Sequence, residues 1–237
     1  MFWGDVWNST ATTRSAADIV GAIQNLVDSP YFFALKQYNV DPGSLGRALV
    51  VTSPAPPASI GTDDVPNMLW SLIGDIFPNP DQEGGHNIYV VLLPPGAPGP
   101  DGSESAHTDT THFVLDRLPK WHRAWYAWIG IPGVFAVDDV TTSVSHEVVE
   151  TYTNPKPNTG WFVSTGDSEI VDVCEFLGEG PVNGVTVVPY FSKFDNACII
   201  PRGRSVRLFL AVKGIAAANG LRVHVPPGTC LREFLRT

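Results

Sequence analysis

Apolar residues recur along the chain at two spacings, and each spacing predicts a different kind of element. Residues 11–28 place Ile19, Ile23 and Leu26 on one face at helical spacing, so this segment is predicted to be a helix. Further helices are expected over 31–38, 63–76 and 138–153. Apolar runs between turn residues predict buried strands over 47–52, 87–93, 123–129, 182–190, 206–212 and 221–225. The last two strands are expected to pair with each other.

The helix over 138–153 has boundary signals at both ends. It begins at Asp138 and Asp139, and acidic residues suit the positive end of a helix dipole. It ends at Asn154, since a residue that precedes proline avoids the helical region. This helix contains the string HEVVE, residues 146–150.

Residues 94–105, PPGAPGPDGSES, have the composition of a linker between domains. The apolar strands on either side, however, are expected to be neighbours in one sheet. We therefore interpret this segment as a surface loop. The pattern predicts one α+β domain over residues 1–237, built on a mixed β-sheet.

Composition excludes some classes of partner. The chain has 237 residues, of which 43% are hydrophobic, enough to build one substantial core. Its formal net charge is −9, and its 15 Lys and Arg residues are spread too thinly to form a basic stripe. This argues against nucleic acid or an anionic membrane surface as partner. No stretch of 18 uncharged apolar residues predicts a membrane span, and no signal peptide is visible in this chain.

The string His146-Glu147-Val148-Val149-Glu150 places two metal ligands one helical turn apart. His146 and Glu150 lie at i and i+4, so both could contact one cation. Glu147 lies off that row, where it could act as general base on a metal-bound water, as in HExxH zinc hydrolases. The alternative for such a short HExxE motif is a helix with a solvated carboxylate face.

Glu169 and Asp172 follow the HExxE helix in an order that resembles the thermolysin-like gluzincins. In that family a Glu ligand follows the HExxH helix, and an Asp one turn later supports a ligand histidine. The resemblance implies a zincin-like domain with Glu169 as third ligand and Asp172 as its supporting residue. The spacing departs from the family, because Asp172 follows Glu169 by three residues where the family has four.

A second resemblance covers residues 1–201. The strings SHEVVETYTNP (145–155), GWF (160–162) and EIVDVC (169–174) are similar to the HELAE…TNP…WY…EIGDLC signature of plant exordium, or phosphate-induced, proteins and their bacterial relatives. The similarity extends to His107, which precedes a YAW segment, to the opening FWG, and to NGV…ACIIP (183–201). It implies a secreted, extracellular protein linked to growth signalling. It indicates where the functional site lies, but it does not indicate a particular reaction.

Two hypotheses about function follow. In the first, the protein is a zinc hydrolase, most simply a metallopeptidase acting on a peptide or other small substrate. His146, Glu150 and Glu169 would bind the metal, and Glu147 would activate water. In the second, it is a non-catalytic extracellular binding or signalling protein with a structural metal site.

The ligand set bears on which metal is expected. One imidazole and two carboxylates form a neutral centre with Zn²⁺, which is a weaker Lewis acid than a centre with two histidines. A nitrogen from His107 would correct this, so His107 is a candidate catalytic or fourth metal group; alternatively, it is a polar loop residue. Without it, Ca²⁺ or Mn²⁺ becomes the alternative to Zn²⁺.

The chain has three cysteines, and their spacing fits no zinc knuckle or CxxC motif. Cys174 and Cys198 each lie beside a motif of the proposed site, so a bridge between them is predicted to fix the segment of the third ligand. The alternative is that all three are small buried residues.

Overall fold

Five strands form the central sheet: β1 (Phe2–Trp3), β2 (Val50–Val51), β3 (Ile88–Leu92), β4 (Ser105–Val114) and β5 (Lys120–Ile129). Their order is β2-β1-β3-β5-β4. The first four in this order run parallel, and β4 pairs antiparallel with β5 at one edge. The mixed sheet predicted from the sequence is therefore confirmed.

The computed structural model describes residues 1–9, 14–77, 80, 87–114, 120–156, 159–163, 168–208 and 221–225. Side chains are described for these residues except 101, 112–114, 120, 204–208 and 221–225. Among the residues so described, no helix is long and apolar enough to cross a membrane.

In the described part of the chain, three α-helices flank the sheet: α1 (Ala16–Val27), α2 (Asp64–Leu72) and α3 (Val137–Thr153). Ser15 caps α1, because its hydroxyl accepts a hydrogen bond from the Asp18 N–H at 3.1 Å while Asp18 accepts one from the Ser15 N–H. The short helix expected over 31–38 is a 3-10 helix, Pro30–Tyr38. The helix expected over 63–76 ends earlier, at Leu72, before a turn at Gly74 with φ of 99°.

Apolar side chains pack on both faces of the sheet. On one face, Leu92 and Ile129 meet the buried residues of α1 and α3. On the other, Val91 meets the apolar side of α2. The alternation of Val91 and Leu92 along β3 is what a strand buried on both faces requires. The molecule is thus one three-layer domain with α3 directly beneath β4 and β5.

The described part of the chain after α3 forms short antiparallel pairs. These are β6 (Phe162–Val163) with β7 (Ser168–Glu169), β8 (Gly180–Val182) with β9 (Val185–Val187), β10 (Tyr190–Ser192) with β11 (Ala197–Ile199), and β12 (Arg204–Leu208) with β13 (Leu221–Val225). The predicted pairing of the last two strands is confirmed, with Val206 opposite Val223.

The single strand predicted over 182–190 is wrong. Asn183 and Gly184 have φ of 50° and 78°, and they form the two-residue turn between β8 and β9. An Asn-Gly pair flanked by apolar residues is a strong hairpin signal, because both positions tolerate positive φ. The apolar run from 182 to 190 hid this turn.

The sequence pattern did not predict β4 at all. Its polar sequence, SAHTDTTHFV, lacks the apolar residues of a buried strand. It becomes a strand because it pairs with β5 over its whole length, from Ser105 opposite Ile129 to Val114 opposite Lys120. The surface loop interpreted over 94–105 ends where β4 begins.

Candidate metal and acid–base site

Helix α3 places polar side chains where the fold buries them. Its start is stabilised by a 2.7 Å hydrogen bond from the Ala136 N–H to Asp139 Oδ2. One side of α3 packs against α1, and another lies under β4 and β5. As a result Glu147 and Glu150 are only 4% and 3% exposed. Buried carboxylates require partners, because an isolated buried charge is very costly.

His146 and Glu150 lie side by side, as their i, i+4 spacing predicts. The distance between His146 Nε2 and Glu150 Oε2 is 3.1 Å. Asp172 Oδ1 lies 3.3 Å from the same His146 nitrogen. Two carboxylates from different segments therefore converge on one imidazole nitrogen.

His107 lies in β4 on the other side of these carboxylates. It is buried, with Nδ1 at 3.2 Å from Glu147 Oε2 and 3.8 Å from Glu150 Oε2. Its Nε2 lies 3.1 Å from the backbone oxygen of Asn154 and 3.5 Å from Glu169 Oε1. The structure thus places His107 in the site; the alternative of a polar loop residue is wrong.

Asn154 connects the end of α3 to the segment that follows. Its side-chain amide donates a hydrogen bond to Glu169 Oε1. Its Oδ1 accepts hydrogen bonds from the N–H groups of Thr159 and Gly160, at 2.9 and 2.5 Å. Gly160 lies against the Thr153 carbonyl, where no Cβ would fit. Asn154 was identified from the sequence only as the helix end, although it lies in the TNP string.

Glu169 and Asp172 are held by a tight turn. The Glu169 N–H donates to Asp172 Oδ2 at 2.9 Å, and the Val171 N–H donates to Glu150 Oε1 at 3.3 Å. The turn leads into a 3-10 helix, Asp172–Leu177, which carries Glu175. These backbone donors fix the carboxylates without neutralising them.

Among the described residues, the donor atoms fall into two groups, each with its ligand atoms within 4.8 Å of one another. The inner group contains His107, Glu150 and Glu169, and the outer group contains His146, Asp172 and Glu175. The three predicted ligands are divided between them: Glu150 and Glu169 belong to the inner group, and His146 to the outer one. Glu175 was not predicted, and only its position one turn after Asp172 could have indicated it.

The charges and the burial of the cluster shift the pKa values of its members. Burial lowers the pKa of His146, but the hydrogen bonds to Asp172 and Glu150 outweigh burial and raise it to about 11. The same competition, with Glu147 and Glu169 as acceptors, raises the pKa of His107 to about 10. Burial raises the pKa of Glu150 to about 7, while the hydrogen bond from His146 lowers that of Asp172. In the absence of a metal, both imidazoles would be cationic at neutral pH and offset the surrounding carboxylates.

A cleft of about 800 Å³ leads to one side of this cluster, and its walls include Ser105, His146 and Glu175. The Ser105 hydroxyl donates a 2.5 Å hydrogen bond to Glu147 Oε1. Glu147 therefore lies directly behind a residue of the cleft wall, and His146 and Glu175 of the outer group line the cleft. Ser105 could not be identified from the sequence, because only the pairing of β4 with β5 brings it to α3.

A disulfide joins Cys174 to Cys198, which confirms the predicted bridge. It connects the 3-10 helix Asp172–Leu177 to β11, and so fixes the segment that carries Asp172 and Glu175. The third cysteine, Cys230, lies outside the described residues.

No protein-family model, no curated protein and no solved structure matches the chain.

Proposed function

We propose that the protein is a metal-dependent hydrolase that acts on peptides, with the reaction taking place where the cleft meets α3. The observation that supports it best is the placement of His146, with two carboxylates at 3.1 and 3.3 Å, in the wall of a cleft that also reaches Ser105. Buried acid–base groups with shifted pKa values next to a cleft are typical of catalytic sites.

The donor set fits a divalent cation. Each group offers one imidazole nitrogen and two carboxylates within a few ångströms, which are ligand types of Zn²⁺ and Mn²⁺ sites. Zn²⁺ is the first candidate, and the high share of carboxylates keeps Mn²⁺ and Ca²⁺ as alternatives. We assign the cation to the outer group, His146, Asp172 and Glu175, with Glu150 in contact with His146.

A bound divalent cation would polarise the substrate carbonyl and make water more acidic. Glu147 would take the proton of the attacking water at Oε1, the oxygen that Ser105 contacts at the cleft wall. His107 holds the other oxygen, Oε2, and so orients the carboxylate. The same carboxyl group would then return the proton to the leaving amine.

The second candidate function is a structural metal site in a binding or signalling protein. It is favoured by the burial of the inner group, where the side chains of His107 and Glu150 are each 3% exposed and that of Glu169 is 15% exposed. A structural zinc is enclosed by protein ligands, whereas a catalytic one keeps an open position.

The gluzincin-like and exordium-like resemblances are compatible with either function. We propose that the fold is zincin-like and that the protein acts outside the cell. The disulfide supports that location, because such bonds persist in oxidising compartments.

Metal binding by matched variants distinguishes the two groups. Asp172→Asn replaces a carboxylate ligand of the outer group only, and Glu169→Gln replaces one of the inner group only. Metal-free protein is titrated with Zn²⁺, Mn²⁺ and Ca²⁺ by calorimetry, and then assayed on a peptide library. We expect one ion per chain, weakened at least tenfold by Asp172→Asn, and metal-dependent cleavage. Weakening by Glu169→Gln alone, without cleavage, would support the structural site. If no ion binds and none raises the melting temperature, both proposals are wrong.

A further inference from the structure

A second cavity, of about 450 Å³, lies on the opposite side of α3 from the acid–base cluster. It is bounded by α1, α3, β3 and the segment 43–48. This segment connects the 3-10 helix Pro30–Tyr38 to β2. Its size is within the usual range for small-molecule sites, about 300–1,000 Å³. Its lining is mainly aliphatic and aromatic, unlike that of the cleft at His146.

Several apolar side chains around this cavity are only partly buried. They come from all three elements: Val20, Ile23 and Val27 from α1, Val90 from β3, and Val148 from α3. Val90 is one of them; it pairs with Ala127 of β5 and lies two residues before Leu92, the residue at which β1 pairs with β3. A side chain there is normally sealed by the covering helices.

Apolar surface left in contact with water is unfavourable by about 25 cal/mol for each Å². Protein interiors are otherwise packed at the density of organic crystals, so a gap of this size between two helices and a sheet is unusual. A guest with an apolar body would cover the half-buried valines and be bound by that gain.

The rim of the cavity has one charged side chain among the described residues that line it, Arg47. Its Nη1 donates a 3.2 Å hydrogen bond to the Ile76 carbonyl, which holds the guanidinium at the rim. A guanidinium has five N–H donors, so donors remain for a ligand. In a chain of net charge −9, a cation at the mouth of an apolar cavity is selective for an anionic head group.

We propose that this cavity binds a long-chain carboxylate of the fatty-acid type. The alkyl chain lies between α1 and α3, and the carboxylate pairs with Arg47. This site is separate from the proposed hydrolase site, so it does not depend on metal binding or catalysis.

The direct test is calorimetric titration of the full chain with saturated carboxylates of six to fourteen carbons, below their critical micelle concentrations. We expect one site per chain and, for each added methylene, a dissociation constant about three- to fourfold lower until the cavity is full. Dodecylamine, which has the same tail and the opposite charge, is expected to bind more weakly than dodecanoate.

Matched variants locate the site. Arg47→Met keeps the side-chain length and should weaken the binding of dodecanoate about three- to tenfold. It should not increase the preference for dodecanoate over dodecylamine. Arg14→Met, a control, should leave dodecanoate binding unchanged. Val148→Trp and Val20→Trp fill the cavity from different helices and should each abolish binding. Val134→Trp, at a position 83% exposed, is the control for adding an indole.

Three results would overturn the inference. The first is the absence of saturable one-to-one binding of any carboxylate to the wild-type chain. The second is equal affinity for dodecanoate and dodecylamine that Arg47→Met leaves unchanged, which would indicate a neutral apolar pocket. The third is dodecanoate binding of wild-type affinity by Val148→Trp or Val20→Trp, when circular dichroism shows that the variant is folded.

Discussion

The two sides of α3 differ in a way that reverses the usual relation between residue type and burial. On one side Glu147 and Glu150, residues expected at a solvated surface, are 4% and 3% exposed. On the other side Val148, a residue expected in the core, is only partly buried and lines a cavity. Charged groups are packed tightly, and apolar groups are packed loosely.

Function explains this reversal better than stability does. Burying several carboxylates and two imidazoles is unfavourable unless each is paired, and replacing such networks by apolar residues is often neutral or stabilising. Leaving valines around a gap also sacrifices stability. Both features run against the most stable packing, and such departures are expected at binding and catalytic sites.

The largest expected effect tests the charged side through Glu147. Glu147→Gln keeps the shape and removes the proton acceptor, so metal-dependent peptide cleavage should fall by roughly two to four orders of magnitude. Metal content, circular dichroism and dodecanoate affinity should stay unchanged, because Glu147 belongs to neither metal group nor to the apolar cavity. Asp138→Asn, an exposed carboxylate on the same helix, is the control. If the Glu147→Gln variant cleaves peptides at the wild-type rate, Glu147 has no role in the reaction.

The disulfide should contribute the next largest effect. Cys174 and Cys198 are 24 residues apart, and a loop of that length corresponds to about 3 kcal/mol of unfolding free energy. Replacing both by alanine should lower that free energy by this amount in urea denaturation and weaken metal binding more than dodecanoate binding. Thiol counting of the unfolded wild-type chain should give one free thiol, whereas three would contradict the bridge.

Asn154 should have a smaller effect that is again confined to the charged side. Asn154→Ala removes the donor to Glu169 and the acceptor for the N–H groups of Thr159 and Gly160. We expect a loss of about 2 kcal/mol in unfolding free energy, since the substitution removes three hydrogen bonds of the buried Asn154 side chain, one of them to a carboxylate. Exposed Asn8→Ala is a control, measured in the same denaturation series. A loss at Asn154 no larger than at Asn8 would show that water replaces these bonds.

The smallest expected effect is a pH dependence of the metal-free protein. The folded-state pKa values of His107 and His146, about 10 and about 11, lie above the ordinary 6.5. The two protonated histidines therefore contribute fully to the stability of the fold below about pH 6.5, and this contribution is lost as the pH rises through 10 to 11. The melting temperature should fall by a few degrees more over this range in wild type than in His107→Gln or His146→Gln. Parallel curves for the three proteins would show that the two histidines are not protonated in the fold.

The sequence by itself determined the elements that depend on local signals. Helix α3 follows from its acidic start and the proline after Asn154, and the pairing of β12 with β13 follows from two apolar runs that succeed each other along the chain. The proximity of His146 and Glu150 follows from helical geometry alone, since i and i+4 always share a face. The Asn183-Gly184 turn was equally local, but the surrounding apolar run concealed it.

Only the tertiary structure decided what surrounds α3. Polar β4 becomes a strand because β5 pairs with it, and that pairing brings His107 and Ser105 to Glu147 across about 40 positions of sequence. The same packing divides the predicted ligands into inner and outer groups and leaves Val148 facing a cavity. A periodic pattern states which residues share a face. Which neighbour that face meets depends on long-range packing free energy, which local sequence does not contain.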